Sequence, residues 1–279
     1  MYPRIIDFGT IDLFGRSIPL AIHSYGVMIA LGFFAVWYGL DRELPRKGYD
    51  QILAYAIIYS AFFGGLFGAK LYYVIEFKRF DLASGFVWYG GLIGGSVAVL
   101  IVIIRAKQPV WSVIDSVGCL LLLGYGIGRI GCFLAGDGCY GRPGELPWCV
   151  TFPEALSTYF YYQDQLYYVT SNVDNGIPEH AILTSVHPTP IYETIISCIS
   201  FGLLWSIRLK LEQKTGVLFG LSLLAMGVER FIVEFWRINT KYFWDQFSGA
   251  QIISLVLVTI SILIVLYRWS NSYSNQSEQ

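Results

Sequence analysis

Seven apolar runs, each close to the roughly 20 residues an α-helix needs to cross a bilayer, take up most of the chain and leave little length for a separate soluble core. They cover residues 18–40, 52–75, 82–104, 110–135, 190–207, 216–235 and 250–267. Only 14% of the 279 residues are charged, against roughly 25% in soluble domains, which points the same way. The expected fold is therefore all-α: a polytopic membrane protein of about seven transmembrane helices, forming a single membrane domain over residues 1–279. The polar stretches DRELPRKGYDQ, RAKQP and IRLKLEQKTG are short, as links between antiparallel neighbours should be. The exception is segment 137–188, between the fourth and fifth spans. The polar end SNSYSNQSEQ, about 270–279, is expected to be a disordered tail.

An odd number of spans puts the termini on opposite sides, and Lys/Arg placement chooses between the two orientations. With the N-terminus outside, the inner loops and tail hold Arg42, Arg46, Lys47, Arg105, Lys107, Arg208, Lys210, Lys214 and Arg268. The outer segments hold Arg4, Arg16, Lys78, Arg79, Arg142, Arg237 and Lys241, spread over far more chain. That bias sets the N-terminus and segment 137–188 on the outer face. Within the segment, Tyr159, Tyr161, Tyr162, Tyr167 and Tyr168 suit the headgroup layer, where a phenol meets lipid with its ring and water with its hydroxyl. The start MYPRIIDFGT lacks a basic n-region and a small-residue cleavage site, so no removable signal peptide is expected. A net charge of −1 supplies no field for nucleic acid, which is not an expected partner.

The five cysteines, Cys119, Cys132, Cys139, Cys149 and Cys198, show no paired CxxC or HxxxH spacing, so neither a metal nor a cofactor is expected. Cys119 and Cys198 lie in apolar runs as small packing residues. Cys139 and Cys149 are able to pair in an oxidising compartment.

Three basic residues, Lys70, Arg129 and Arg230, fall within or at the rim of spans. A mid-membrane arginine costs ~2.5–3.5 kcal/mol on insertion scales, so such residues usually face a protein interior or a wet cavity. In VERFIVEFWR, Arg230, Glu234 and Arg237 share one helical face. Glu234 either closes a structural ion pair with Arg230 or orients a guanidinium whose other donors serve a ligand. In LLLLGYGIGRIGCFLAGDGCYGRP, Arg129 sits among Gly124, Gly126, Gly128 and Gly131, ahead of a turn at Asp137 and Gly138. Such glycine density predicts a helix that unwinds near the outer surface and offers N–H groups and a guanidinium to an anion. The planar donor fork of arginine suits phosphate, so Arg129 and Arg230 together suggest a lipid phosphate. Glu193, one turn into an apolar helix after HPTPIYE, needs a partner, and a cavity arginine fits that need. His187 in the same motif reads as a loop cap or a functional imidazole. The glycines of FGGLFGA and YGGLIGG serve close helix packing or line a cavity.

In this chain order GRIGCFLAGDGCYGRP, HPTPIYE, YGGLIGG and ERFIVEFWR resemble prolipoprotein diacylglyceryl transferases, with the similarity reaching from about residue 18 to 267. The resemblance implies transfer of the diacylglyceryl group of phosphatidylglycerol to the lipobox cysteine thiol of a prolipoprotein signal peptide, releasing glycerol phosphate. This is the first step of bacterial lipoprotein modification. It implies a multi-pass protein of the bacterial inner (plasma) membrane, with membrane lipid as donor. By resemblance Arg129 and Arg230 match the phospholipid-binding arginines, and Tyr25, Asp137, Gly141, Glu234 and Arg237 match neighbouring functional positions. Glu193 joins them on the helix-partner argument above.

Three departures stand out. Tyr89 occupies the place of a histidine often proposed as general base. A phenol of pKa near ~10 is a poor base at pH 7, so Tyr89 is expected to donate a hydrogen bond while the substrate thiol ionises beside the arginines. Cys132 replaces an asparagine after GRIG, and Asp137 replaces a glutamate. Cys132 is either a packing residue or itself a nucleophile. The alternative function is a membrane lipid- or anion-binding carrier derived from this family without transferase activity.

Overall fold

The computed structural model describes residues 3–13, 16–78, 86–152, 157–162, 165–170, 182–239, 241–243 and 246–277. The chain opens with a hairpin of β1 (Arg4–Leu13) and β2 (Arg16–His23), followed by α1 (Ser24–Arg46), α2 (Ile52–Phe77), α3 (Trp88–Arg105) and α4 (Val110–Ala135). The segment between α4 and α5 carries β3 (Ser157–Tyr162), β4 (Gln165–Thr170) and β5 (Ile182–Leu183), paired in the order β4-β3-β5. Then come α5 (Thr189–Ile207), α6 (Val217–Val233), a 3-10 turn at Glu234–Trp236, the two-strand pair β6 (Lys241–Phe243) and β7 (Phe247–Ser248), and α7 (Gly249–Ser277). Among the described residues, α1 to α5 and α7 up to Asn271 are long and apolar enough to cross a membrane. α6 has 17 residues and runs directly into the 3-10 turn. The protein is thus a mostly helical, polytopic membrane protein with little sheet.

Several boundaries differ from expectation. The first helix begins at Ser24 rather than at 18, because 16–23 pairs antiparallel with β1. Ser24 donates from both its backbone N–H and its hydroxyl to the Pro3 carbonyl, which pins the hairpin to the start of α1. The third helix begins at Trp88, and the stretch 82–85 where it was expected to start lies outside the described residues. Helical backbone continues to Ser277, through most of the tail expected to be disordered, because extending an existing helix costs far less than nucleating one. The membrane-lip reading of Tyr159, Tyr161, Tyr162, Tyr167 and Tyr168 concerns side chains outside the described residues.

α4 is the hub, packing against α1, α5 and α6, while α2 pairs with α3 and α6 with α7. Its glycines make this possible without unwinding. The helix is continuous for 26 residues and ends at Gly136, left-handed at φ 61, whose N–H returns to the Cys132 carbonyl. This corrects the expectation of an unwound outer end. A Cβ at Gly131 would lie 3.0–3.3 Å from Met28 and Tyr25 of α1, and one at Gly126 3.3–3.5 Å from Cys198 and Ser197 of α5. The glycines therefore let α1 and α5 approach Arg129 from two sides. Between α2 and α3, Gly64 and Gly68 face Gly90 and Gly94 in a small-xxx-small contact. A Cβ at Gly94 would meet Gly68 Cα at 2.7 Å.

The two ends of the bundle differ in kind. At the end where α1 and α3 finish and α2 and α4 begin, Leu40, Leu44, Ile57, Ile103, Val113 and Leu120 form a dry core with less than a few per cent exposure each. There Asp115 of α4 accepts the backbone N–H groups of Gly216 and Phe219, each at 2.7 Å, capping α6 from a neighbouring helix. Glu43 holds Arg46 at 2.7 Å and Arg208 at 3.3 Å, tying α1 to the end of α5. Polar groups dominate the opposite end.

Gly94→Val forces α2 and α3 apart and is expected to lower the thermal unfolding midpoint in detergent, by the equivalent of about 1–3 kcal/mol. Gly202→Ala, where nothing lies within 4 Å of the added methyl, serves as the control and should be neutral or slightly stabilising. Equal midpoints for the two variants would remove the packing role of the glycines.

Candidate functional site

Where α4 and α6 end and α5 begins, three guanidinium groups converge on one carboxylate. Glu193 of α5 is fully buried, one turn after Pro190 sets the start of the helix. Arg129 of α4 donates from Nη2 to Glu193 Oε1 at 3.0 Å and brings Nε within 2.6 Å of Oε2. Arg230 of α6 donates to the same Oε1 at 3.2 Å, and Arg237 lies 3.5 Å from it. Arg230 also reaches Glu234 Oε2 at 3.1 Å, and Arg237 approaches the same oxygen at 3.9 Å. Of the two readings of Glu234, the ion pair with Arg230 is formed.

The cluster carries more positive than negative charge in its ion pairs, with three guanidiniums against Glu193 and Glu234. The arginine side chains keep 15%, 28% and 13% exposure for Arg129, Arg230 and Arg237, while both carboxylates are buried. Each guanidinium has five N–H donors, and the carboxylates occupy only part of them. The remaining donors are able to make short charge-assisted bonds to an anion.

The loop after α4 and the stretch that leads into α5 clamp this cluster. Gly141 donates to the His187 carbonyl at 2.8 Å, His187 to the Arg142 carbonyl at 3.1 Å, and Arg142 to the Trp236 carbonyl at 2.7 Å. A side chain at Gly141 would collide with the Trp236 carbonyl and approach Thr189 and His187 within 2.9–3.0 Å. Gly141 is therefore a crossing point of three backbones, which accounts for glycine there. Tyr140 stacks on Phe152 at 4.3 Å and buries Val186 beneath them, giving the clamp its own small core. His187 lies within it: Trp148 donates to the Tyr192 hydroxyl at 2.7 Å, and that hydroxyl lies 3.1 Å from His187 Nδ1. With its hydroxyl already accepting, Tyr192 is free to donate to a neutral imidazole. Burial, and then the nearby Arg142 charge, hold the His187 pKa below its ordinary 6.5.

The other expected residues are placed as follows. Tyr25, in the first turn of α1, packs against Gly131 two residues beyond Arg129. Tyr89 is 48% exposed near the start of α3, which packs chiefly on α2, and its ring contact is with Trp88. No contact joins it to the arginine cluster among the described residues. Lys70 lies over the Phe86 ring at 4.7 Å and the Tyr73 ring at 5.8 Å, an aromatic setting distinct from the cluster. Asp137 accepts the Cys139 N–H at 3.0 Å and is drawn toward the two cysteine sulfurs rather than toward an arginine. All five cysteines are free thiols. The Cys139–Cys149 pair is absent because the turn at Gly136 sends Cys139 back beside Cys132, whereas Cys149 lies against Gly144.

Sequence reasoning missed several members of the site. Tyr125, one turn before Arg129, accepts its Nε–H at 3.1 Å and stacks beneath the guanidinium. Ser248 donates to Glu234 Oε1 at 2.6 Å, and Asn239 donates to the same oxygen. Glu229 is buried beside Glu193 and the three arginines, with one carboxyl oxygen lacking a hydrogen bond. Its only sequence signal was a second acid in the VERFIVEF stretch.

Removing Glu193 leaves Arg129 without its ion-pair partner and Glu234 alone against Arg230 and Arg237, so Glu193→Gln is expected to destabilise the fold by about 3–5 kcal/mol, the range for breaking one side of a buried pair. Thermal unfolding in detergent measures it, and a shift below that of an exposed control acid such as Glu76→Gln would reject Glu193 as the keystone. His187 gives a pH signature. Its folded pKa lies below its unfolded value, so its contribution is complete above about pH 6.5 and is lost as pH falls through the lowered value. The midpoint of the wild-type protein should drop more steeply below pH 6.5 than that of His187→Gln; parallel curves would place the imidazole in solvent.

Residues 13–267 match the family model described as prolipoprotein diacylglyceryl transferase. A protein of Clostridium tetani named phosphatidylglycerol–prolipoprotein diacylglyceryl transferase is 34% identical over 263 residues, covering 91% of this chain and 94% of its own length. Proteins of the same name from Shewanella oneidensis and Pectobacterium carotovorum are 27% and 29% identical, over 95% and 90% of this chain and 94% and 91% of theirs. The matches take in α1 to α6 and the clamp between α4 and α5, and the chain belongs to the prolipoprotein diacylglyceryl transferase family.

Proposed function

We propose that this protein transfers the diacylglyceryl group of phosphatidylglycerol to the lipobox cysteine thiol of a prolipoprotein signal peptide, at the outer face of a bacterial plasma membrane. The observation that carries this reading is the sharing of Glu193 by Arg129 and Arg230 from two different helices. A phosphodiester entering sideways from the lipid meets donors fixed on both sides, and Arg237 adds a third cation at 3.5 Å from the same carboxylate oxygen.

The reaction is a displacement at the glycerol carbon that bears the phosphate. The acceptor thiol loses its proton to solvent, its sulfur forms a bond to that carbon, and the carbon–oxygen bond breaks. The bonding electrons leave on the phosphate oxygen, so glycerol phosphate departs with one more negative charge than the diester carried. Fixed guanidiniums stabilise that growing charge without reorganising. The same excess of positive charge favours the thiolate over the thiol, so the substrate ionises without a dedicated base. Tyr25 borders the phosphate side against Gly131, Gly141 and Glu234 hold the arginine-bearing backbone in place, and Asp137 shapes the turn after α4.

The test uses the purified protein in lipid vesicles with labelled phosphatidylglycerol and a lipobox peptide, read by mass spectrometry for the thioether. Each charge-assisted contact is worth ~1.5–3 kcal/mol, so Arg129→Ala and Arg230→Ala are each expected to lower kcat/KM by about 10–100-fold. Undiminished rates in both variants, or saturable lipid uptake with no thioether, would favour a carrier and sink the proposal.

A further inference from the structure

Outside the arginine cluster the fold gathers a second set of reactive side chains. Cys132 projects from the last turn of α4 and is buried. Gly136 and Gly138, both left-handed at φ 61 and 83, then turn the chain back on itself, and the Asp137 carboxylate accepts the Cys139 N–H. The outcome is two sulfurs and a carboxylate oxygen within 4.8 Å of one another. A tetrahedral zinc-like ion with metal–sulfur bonds near 2.3 Å and metal–oxygen bonds near 2.0–2.2 Å sets its ligand atoms about 3.5–3.8 Å apart, within the separations already present.

We infer that Cys132, Asp137 and Cys139 form a binding site for a thiophilic divalent cation of the zinc class, leaving a fourth position open to water or another ligand. The ligand set selects the ion: two sulfurs disfavour magnesium and calcium, which require oxygen. A disulfide between the two sulfurs would leave the carboxylate idle, whereas a cation uses all three groups. Charge also balances. Two thiolates and one carboxylate around a dication carry a net charge of −1, and Arg129 Nη1 lies 3.5 Å from Cys132 Sγ to meet it. Binding releases the two thiol protons to solvent and needs no redox partner.

An occupied site would fasten the turn to the end of α4. The Cys139 carbonyl accepts the Thr189 hydroxyl at 2.7 Å, and Thr189 opens α5 one turn before Glu193, so the metal would stiffen the rim of the arginine cluster.

The test uses the full chain in detergent, reduced with a phosphine, stripped of metal and titrated with cobalt(II). One equivalent should bind with a thiolate-to-cobalt charge-transfer band and tetrahedral d–d bands, both removed by zinc. Cys132→Ser and Cys139→Ser should each weaken binding at least tenfold, whereas Cys149→Ser should leave it unchanged. Should either variant misfold, zinc must still protect Cys132 and Cys139 of the wild-type protein from a maleimide while magnesium does not. The inference is overturned by absent bands, by bands that survive both cysteine substitutions, by thiols that zinc fails to protect, or by a Cys132–Cys139 disulfide as the resting form. None of these readouts depends on transferase activity.

Discussion

The site depends on a single buried carboxylate. Glu193 stands in a helix that is apolar on nearly every side, where an isolated charge would cost several kcal/mol, and it is stable there because three guanidiniums reach it from α4 and α6 and from the turn after α6. The dependence runs both ways. Arg129, Arg230 and Arg237 repel one another, and without Glu193 and Glu234 between them their shared position would be untenable. Mutual need therefore selects one arrangement of the three helix ends, a use of buried charge that contributes specificity more than net stability.

Such a cluster can exist only because the rest of the bundle is held elsewhere. The dry core at the other end, from Leu40 to Leu120, and the cross-helix cap that Asp115 gives α6 hold the helices together away from the arginine cluster. The opposite ends are then free to be polar and partly open. The close approach of α1 and α5 to α4 across Gly131 and Gly126 narrows that end, so the cations meet without large side chains between them. Stability and chemistry are thereby separated along the bundle axis.

Much of this was readable from sequence for a simple reason: lipid allows few exceptions. Apolar runs of spanning length had to be helices, and Arg129, Arg230 and Glu193, charges that did not belong in such runs, had to find one another. What could not be read depended on contacts between distant segments or on local backbone geometry. Residues 18–22 are apolar like the helix that follows, so only their pairing with β1 reveals a strand. The glycines around Arg129 permit either unwinding or close packing, and the neighbours on α1 and α5 decided for packing. The position of Cys139 beside Cys132, rather than Cys149, follows from the left-handed turn at Gly136 and not from spacing. Tyr125 and Ser248 are unremarkable in sequence and become site residues only when the helices meet.

The placement of Tyr89 bears on how a thiol is activated here. A general base earns its role by taking a proton at the reacting atom, which requires hydrogen-bond reach, and Tyr89 makes no contact with the arginines among the described residues. In the proposed reaction the nucleophile becomes an anion, and the leaving group also gains negative charge. Both changes are favoured by one preformed excess of positive charge, so the field that grips the phosphate also lowers the cost of ionising the thiol. On this argument a phenol at position 89 is tolerable as long as the guanidiniums remain, since proton removal to water requires only that the thiolate be stabilised where it forms.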